Sequence, residues 1–462
     1  MCGIVAVSGV PEAAKHVFLG LYSLQHRGQE AAGLVAVDAD EAGGSKIHRG
    51  TGLVSDVFDE RLLESLRGST AVGHIRYSTA GGAGLHNAQP LLVRYSEGDL
   101  ALAHNGNLTN AQELRARLVR EGALFQSTID SEVIVHLVAR SRREDVDAQI
   151  DDALSQLEGA FSLVITVGST MYAARDPHGF RPLVIGHRDG GYVIASETCA
   201  LDIIGAKYIR DIEPGEVLRI RDGELMRLRP LVTYKEPAPC IFELVYFARP
   251  DSRLWGYSVD RSRRALGRRL AEEQPADADC VISVPDSANS AALGYSEASG
   301  IPYELGLIRN HYVGRTFIEP SQAGRDFKVR LKYSPVREAL AGKRVVVVDD
   351  SLVRGTTSQG LVALLREAGA AEVHFRLASP PVRNPCFYGI DMPTRQELIA
   401  AQMSVEEIGE HLGVDSIGYL SLEGMLNSVD EEGSFCEACF SGDYPTPLSD
   451  MERGYAVAAS CS

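Results

Sequence analysis

The sequence predicts two joined domains, a layered α+β domain followed by an α/β domain built on a parallel sheet. Three observations predict this. Apolar runs in the first half are closely spaced with turn residues between them, which favours antiparallel sheets. β-Branched runs in the second half alternate with helical segments, which favours parallel strands joined by crossover helices. Between the halves Pro230, Pro237 and Pro239 cluster, marking a seam near Arg229–Pro239. A length of 462 residues allows two or three domains at about 100–200 residues each.

In the first half the strand candidates are Ile4–Val7, Leu34–Val37, Ala71–His74, Leu100–Ala103, Phe161–Val167, Met171–Ala174, Leu183–Gly186 and Tyr192–Ala195. Helical periodicity intervenes at Ala13–Leu24, Asn110–Glu121 and Ser131–Arg140. In the second half the strands are Val281–Val284, Arg344–Val348 and Val373–Leu377, with helices at Ser287–Ala298, Ser358–Gly369 and Arg395–Leu412.

Composition narrows the function. Hydrophobic residues make up 45% and charged residues 23%, as in ordinary globular chains, so disordered, collagenous and coiled-coil classes are out. Lys plus Arg is 46 and Asp plus Glu is 62, a net charge of −16 that repels phosphate backbones and makes nucleic acid an unfavourable bulk partner. No run approaches the ~18 apolar residues of a membrane span. The apolar start carries its first basic residue only at Lys15, on the wrong side for a signal peptide, so no membrane partner and a cytoplasmic location are expected. The eight cysteines are then thiols, catalysts or metal ligands.

Once Met1 is removed, Cys2 carries a thiol beside a free α-amine, a nucleophile with its own base. Around it the sequence offers Gln25-His26-Arg27-Gly28-Gln29-Glu30, Gly73-His74-Ile75-Arg76-Tyr77-Ser78-Thr79, His104-Asn105-Gly106-Asn107-Leu108 and Asp130-Ser131-Glu132. An Arg can fork onto an α-carboxylate, an Asp can hold an α-ammonium, and an Asn amide with a Gly N–H can form an oxyanion hole. These motifs resemble the glutaminase domain of N-terminal-nucleophile amidotransferases over residues 1 to about 235. The resemblance implies an αββα sandwich that hydrolyses glutamine. It assigns Cys2 as nucleophile, Arg76 and Asp130 to glutamine, and Asn105 and Gly106 to the oxyanion hole. Ala6 departs from the glycine that many relatives carry. His26, His74 and His104 read as structural, because the amine already offers a base.

In the second half, four valines from Val345 to Val348 run straight into Asp349-Asp350-Ser351-Leu352-Val353-Arg354-Gly355-Thr356-Thr357-Ser358 and a helix. A strand feeding a glycine- and hydroxyl-rich turn into a helix start makes an anion cradle, and the two acids suit a sugar diol or Mg²⁺. The segment resembles the phosphoribosyl pyrophosphate signature of type I phosphoribosyltransferases. Val284-Pro285-Asp286-Ser287-Ala288 resembles their pyrophosphate loop. The implied ligands of phosphoribosyl pyrophosphate are Asp286, Ser287, Asp349, Asp350, Ser351, Arg354, Gly355, Thr356 and Thr357, with Mg²⁺ at Ser287, Asp349 and Asp350. A basic stretch from Arg309 to Lys332, including Arg325 and Lys328, reads as a lid, and Arg315, Arg330 and Lys332 fit the family pattern there.

Cys436-Glu437-Ala438-Cys439, Cys240 and Cys386 could supply four thiolates, suited by residue type alone to zinc or a [4Fe–4S] cluster. Taken whole, the chain resembles the Bacillus-type iron–sulfur class of amidophosphoribosyltransferases, which implies the cluster on Cys240, Cys386, Cys436 and Cys439, structural and outside turnover. It also implies domains at 2–235 and 236–462. The implied activity is that of a pentosyltransferase with glutaminase activity, making 5-phosphoribosylamine for purine synthesis. Purine nucleotides are then the feedback inhibitors and a homotetramer the assembly. Many of that class carry a propeptide; here only Met1 precedes Cys2, so methionine removal should suffice. Cys199 and Cys280 read as core fillers and Cys461 as a tail thiol.

Overall fold

In a computed structural model of the protein, the structure describes residues 1–37, 44–77, 82, 84–228, 235–311, 329–392, 394–430 and 433–448. The first half begins with strands β1 (Gly3–Ser8), β2 (Ala31–Val37), β3 (Ser45–Thr51), β4 (Thr70–Arg76), β5 (Leu91–Tyr95) and β6 (Gly98–Leu108). It continues with β7 (Gly159–Val167), β8 (Thr170–Arg175), β9 (Val184–Arg188), β10 (Gly191–Ala195), β11 (Lys207–Asp211), β12 (Val217–Arg221) and β13 (Glu224–Arg227). They form two sheets, ordered β11-β9-β10-β1-β4-β2-β3 and β13-β12-β8-β7-β6-β5. The pairings are antiparallel, as the short turns predicted.

The period-2 rule builds the layers. On β1, Ile4 and Ala6 join Val164, Met171, Ala173 and Leu218 in the core between the sheets. Val5 and Val7 face the other way, onto helices α1 (Ala13–Ser23) and, further along the chain, Thr198–Ile204. Helices α2 (Ala111–Arg120), α3 (Glu132–Arg140) and α4 (Val146–Leu154) cover the second sheet, and the Thr198–Ile204 helix is α5. The result is the αββα sandwich. Ala6, fully buried, fits its inner core. Strands buried on both faces read as continuous apolar runs, which is why β1, β4 and β7 were visible.

The second half opens with a hairpin, β14 (Arg253–Leu254) and β15 (Tyr257–Ser258), then α6 (Val259–Glu273), β16 (Cys280–Ser283), α7 (Asn289–Ser299), β17 (Leu307–Arg309) and β18 (Tyr333–Pro335). It ends with β19 (Arg344–Asp349), α8 (Thr356–Glu367), β20 (Glu372–Leu377), α9 (Val405–Leu412) and β21 (Ser416–Tyr419). β16, β19, β20 and β21 make one parallel sheet. Its valine strand is buried on both faces, Val346 and Val348 in one core, Val345 and Val347 in the other.

Two expectations change. The single helix expected over Arg395–Leu412 is three short pieces, Arg395–Glu397, Ile399–Gln402 and α9. Met403 is extended, and Ser404 caps α9 with Glu407 in a reciprocal capping box, so a new helix starts there. The amphipathic α6 escaped the sequence reading, its five arginines hiding a narrow buried stripe at Val259, Leu266 and Leu270. The proline-rich seam lies partly outside the described residues.

Candidate functional sites

Cys2 sits where β1 begins, 7% exposed. Its N–H donates to Asn105 Oδ1 at 3.3 Å, and its carbonyl accepts from Arg27 Nε at 2.9 Å. Sγ lies 3.6 Å from the Tyr77 carbonyl oxygen. Burial pushes the thiol up, while the chain terminus and Arg76 act to lower it. The Met1 amine is pulled down to about 6 by burial. Met1 itself is buried, its Sδ 2.9 Å from an Arg181 guanidinium nitrogen.

Asn105 is brought in by β6 and fully buried, and its Nδ2 has no hydrogen-bond partner among the described residues. A buried amide donor normally has one, so this donor is kept for something that enters the site. Gly106 follows at φ +149, where a Cβ would lie 2.1 Å from the Ala160 carbonyl oxygen. Only glycine fits there. The same Gly106 backbone is met from the second half by Gly389, whose added Cβ would fall within 2.9 Å of it. Nearby, Asn107 Nδ2 donates to the Phe387 carbonyl at 3.0 Å.

Asp130 is held by the N–H groups of Leu108 and Ser131, each at 2.9 Å. Arg76 is 4% exposed. Both lie within electrostatic reach of the Cys2 thiol, Arg76 lowering it and Asp130 raising it. Cys2, Arg76, Asn105, Gly106 and Asp130 are thus gathered. The histidines are structural: His26 binds Glu197 at 2.7 Å, His74 binds the His104 carbonyl, and His104 bridges Ser131 and Ala160. Burial pulls His74 down to about 3, leaving it neutral.

The second site forms at the carboxyl ends of β16 and β19, adjacent parallel strands, where ligands of open α/β sheets bind. Val284 N–H bonds the Val348 carbonyl at 2.9 Å and so aligns the two loops. Asp349 accepts from the Asp350 N–H, and Asp350 from the Ser351 hydroxyl at 2.7 Å. Burial and mutual repulsion raise Asp349 far above the carboxylate range. Burial also raises Asp350, with the Ser287 and Ser351 hydroxyls acting against it. Gly355, at φ +80, starts α8, and Thr356 and Thr357 are exposed on its first turn. Asp286 pairs with Arg309 at 2.8 Å. Lys332 is exposed and lies within electrostatic reach of Asp349, Asp350 and Asp286.

Two expected ligands are engaged in exposed ion pairs. Arg330 pairs with Glu367 at the far end of α8, and Arg354 with Glu397 at 3.4 Å. Arg315, with Arg325 and Lys328, lies outside the described residues. Tyr246, which the sequence reading missed, is 42% exposed and lies within electrostatic reach of Asp350, Tyr77 and Asp349.

The four cysteines converge behind the first site. Cys240 and Cys436 form a parallel bridge, and the Cys439 carbonyl accepts from the Arg383 and Asn384 N–H groups. Burial raises Cys240 to about 11 and Cys436 and Cys439 further, each aggravated by the neighbouring thiols. Arg181 stands among Cys240, Cys386 and Cys436 and opposes this. Among the described residues no three His, Cys, Asp or Glu side chains are placed to hold a single metal ion. An all-sulfur donor set, three cysteines buried and Cys386 half-buried, beside a cation fits the chemistry of an iron–sulfur group. Cys199 packs in the core beside Ser23, Cys280 is buried in β16, and Cys461 lies outside the described residues.

Residues 74–202 match the glutamine amidotransferase domain family. The chain is 50% identical over 453 residues to the amidophosphoribosyltransferase of Bacillus subtilis, covering 97% of this chain and 94% of that one. It is 48% identical to the Methanocaldococcus jannaschii amidophosphoribosyltransferase, over 97% and 98% of the two chains. Its fold matches that of a glutamine phosphoribosylpyrophosphate amidotransferase from B. subtilis, solved with ADP and GMP, with TM-score 0.92 and 49% identity over 97% and 98% of the chains.

Proposed function

The chain belongs to the amidophosphoribosyltransferases, and from that premise we propose how its residues divide the reaction. The enzyme takes glutamine, water and phosphoribosyl pyrophosphate to 5-phosphoribosylamine, glutamate and pyrophosphate, the first committed step of de novo purine biosynthesis. The N-terminal half is the glutaminase. The unpartnered, buried Nδ2 of Asn105 beside Cys2 carries the assignment of residues.

With Met1 removed, the Cys2 amine takes the thiol proton and Sγ attacks the glutamine amide carbon. Asn105 Nδ2 and the Gly106 N–H receive the oxyanion, while Arg76 and Asp130 hold the substrate's carboxylate and ammonium. The thioester hydrolyses to glutamate, and ammonia passes to the second site. There Asp349 and Asp350 accept from the ribose hydroxyls, and Ser351 with Gly355–Thr357 cradles the 5-phosphate on the start of α8. Asp286, Ser287 and Lys332 flank the pyrophosphate. Mg²⁺ at Ser287, Asp349 and Asp350 would neutralise charge on the substrate. Ammonia displaces pyrophosphate through an oxocarbenium-like transition state, where positioning dominates.

Cys240, Cys386, Cys436 and Cys439 hold a structural [4Fe–4S] cluster in this reading. Anaerobically purified protein should be brown with about four irons per chain; colourless, zinc-loaded protein would refute it. Purine nucleotides inhibit, the assembly is a homotetramer and the location is cytoplasmic. The nucleotide reading is supported by a relative solved with ADP and GMP; among the described residues no helix is long and apolar enough to cross a membrane. The test of the division of labour is pyrophosphate release with glutamine against release with ammonia, in Cys2→Ala and in Asp349→Ala. If Cys2→Ala loses both, the division is wrong.

A further inference from the structure

Arg27 is fully buried, and each nitrogen of its guanidinium is engaged. Nε donates to the Cys2 carbonyl at 2.9 Å. One terminal nitrogen reaches Glu197 at 2.6 Å and Glu243 at 3.0 Å, and the other reaches Glu243 at 2.8 Å. Glu243 comes from the second half, 216 positions away. It also accepts from Arg181 at 3.4 Å, and Arg181 Nε donates to the Tyr388 carbonyl at 2.8 Å. Arg27, Arg181, Glu197 and Glu243 all have fully buried side chains, two cations against two anions.

We propose that Glu243 is a positioning residue for the glutaminase, fixing the Arg27 guanidinium that fixes Cys2. The proposal rests on Cys2 being the nucleophile. A two-nitrogen fork onto one carboxylate sets the guanidinium plane, and that plane aims Nε at the Cys2 carbonyl. Glu197 cannot take over the role. Its Oε1 already serves His26, and its Oε2 serves the Arg249 N–H at 2.9 Å and the Ser252 hydroxyl at 2.7 Å. Among the described residues the Cys2 backbone is tethered by Asn105 on the nitrogen and Arg27 on the carbonyl. A residue of the synthase half thereby sets the aim of a sulfur in the glutaminase half.

The test is Glu243→Gln in the full chain, isosteric but unable to fork onto two cationic nitrogens as an anion. Glutaminase kcat should fall by about tenfold or more, as misplacement by an ångström costs up to about a hundredfold. KM for glutamine should hold within about twofold, because Arg76 and Asp130 are untouched. Alkylation of Cys2 by a diazoketone analogue of glutamine should slow in parallel. Synthesis from ammonia should be unchanged. Arg181→Gln/Glu243→Gln restores the charge balance and guards against misfolding; it should show the same split. An unchanged glutamine kcat in both variants overturns the proposal. So does a joint loss of glutamine- and ammonia-dependent activity in both, which marks a merely structural residue. If instead Cys2→Ala keeps its glutaminase, the underlying assignment of the nucleophile fails.

Discussion

The two sites solve opposite problems. Around Cys2 nearly every polar group is already bonded: Asp130 by two N–H groups, Arg27 by two carboxylates, His104 at both nitrogens. Among the described residues Asn105 Nδ2 and His74 Nδ1 are left over. Around Asp349 the opposite holds. Two adjacent carboxylates, Asp350 buried and Asp349 half-buried, are pushed toward protonation, with the exposed Lys332 within electrostatic reach. The first site is pre-organised for a neutral amide. The second stores repulsion that a cation would relieve. A glutaminase can thus wait ready, while the synthase assembles around its substrate.

Predictions follow this contrast from the largest effect down. Cys2→Ala should lower glutamine-dependent synthesis by roughly 10⁴-fold or more, the scale of a lost nucleophile, and spare synthesis with high ammonia. Asp349→Ala or Asp350→Ala should do the reverse, abolishing pyrophosphate release while glutamate formation persists; parallel assays of the two products decide it. Asn105→Ala should lower glutaminase kcat by about 10²–10³-fold with little change in KM, the cost of one oxyanion donor.

The smallest effect is the most diagnostic of stored repulsion. Asp349 and Asp350 have folded pKa values above their unfolded ones. Their contribution to stability is therefore full below the ordinary carboxylate range, near pH ~4, and is lost as pH rises through the raised range. Thermal melts of ligand-free protein should show Tm falling over that interval. Asp349→Asn should flatten the slope and raise the neutral-pH Tm by about 2–4 °C per kcal/mol recovered, although it removes synthesis. A melt insensitive to this change would erase the distinction between the sites.

How legible each site was follows from how its residues are strung. The Asp349–Thr357 loop is contiguous, because one strand, one turn and one helix start build it, and a contiguous motif can be read directly. The glutamine site is scattered over four segments, yet each carries its own short pattern at a strand end. Arg27 was visible inside Gln25–Glu30, but its partner Glu243 was not. A buried ion pair spanning 216 positions leaves no local trace in either segment. Arg330 and Arg354 illustrate the reverse limit: a basic residue near a phosphate loop can spend its charge on Glu367 or Glu397. The helix expected over Arg395–Leu412 failed for a simpler reason, since a Ser404 cap outweighs continuous periodicity.

The meeting of Gly106 and Gly389 bears on how this gene can be recombined. A chimaera that grafts the amidotransferase half onto a foreign synthase must bring a bare backbone to that point of contact. Any side chain there would press on the strand that presents Asn105. Shuffling between relatives should therefore succeed only when both glycines travel together, and a library of crossovers would reveal them as an inseparable pair.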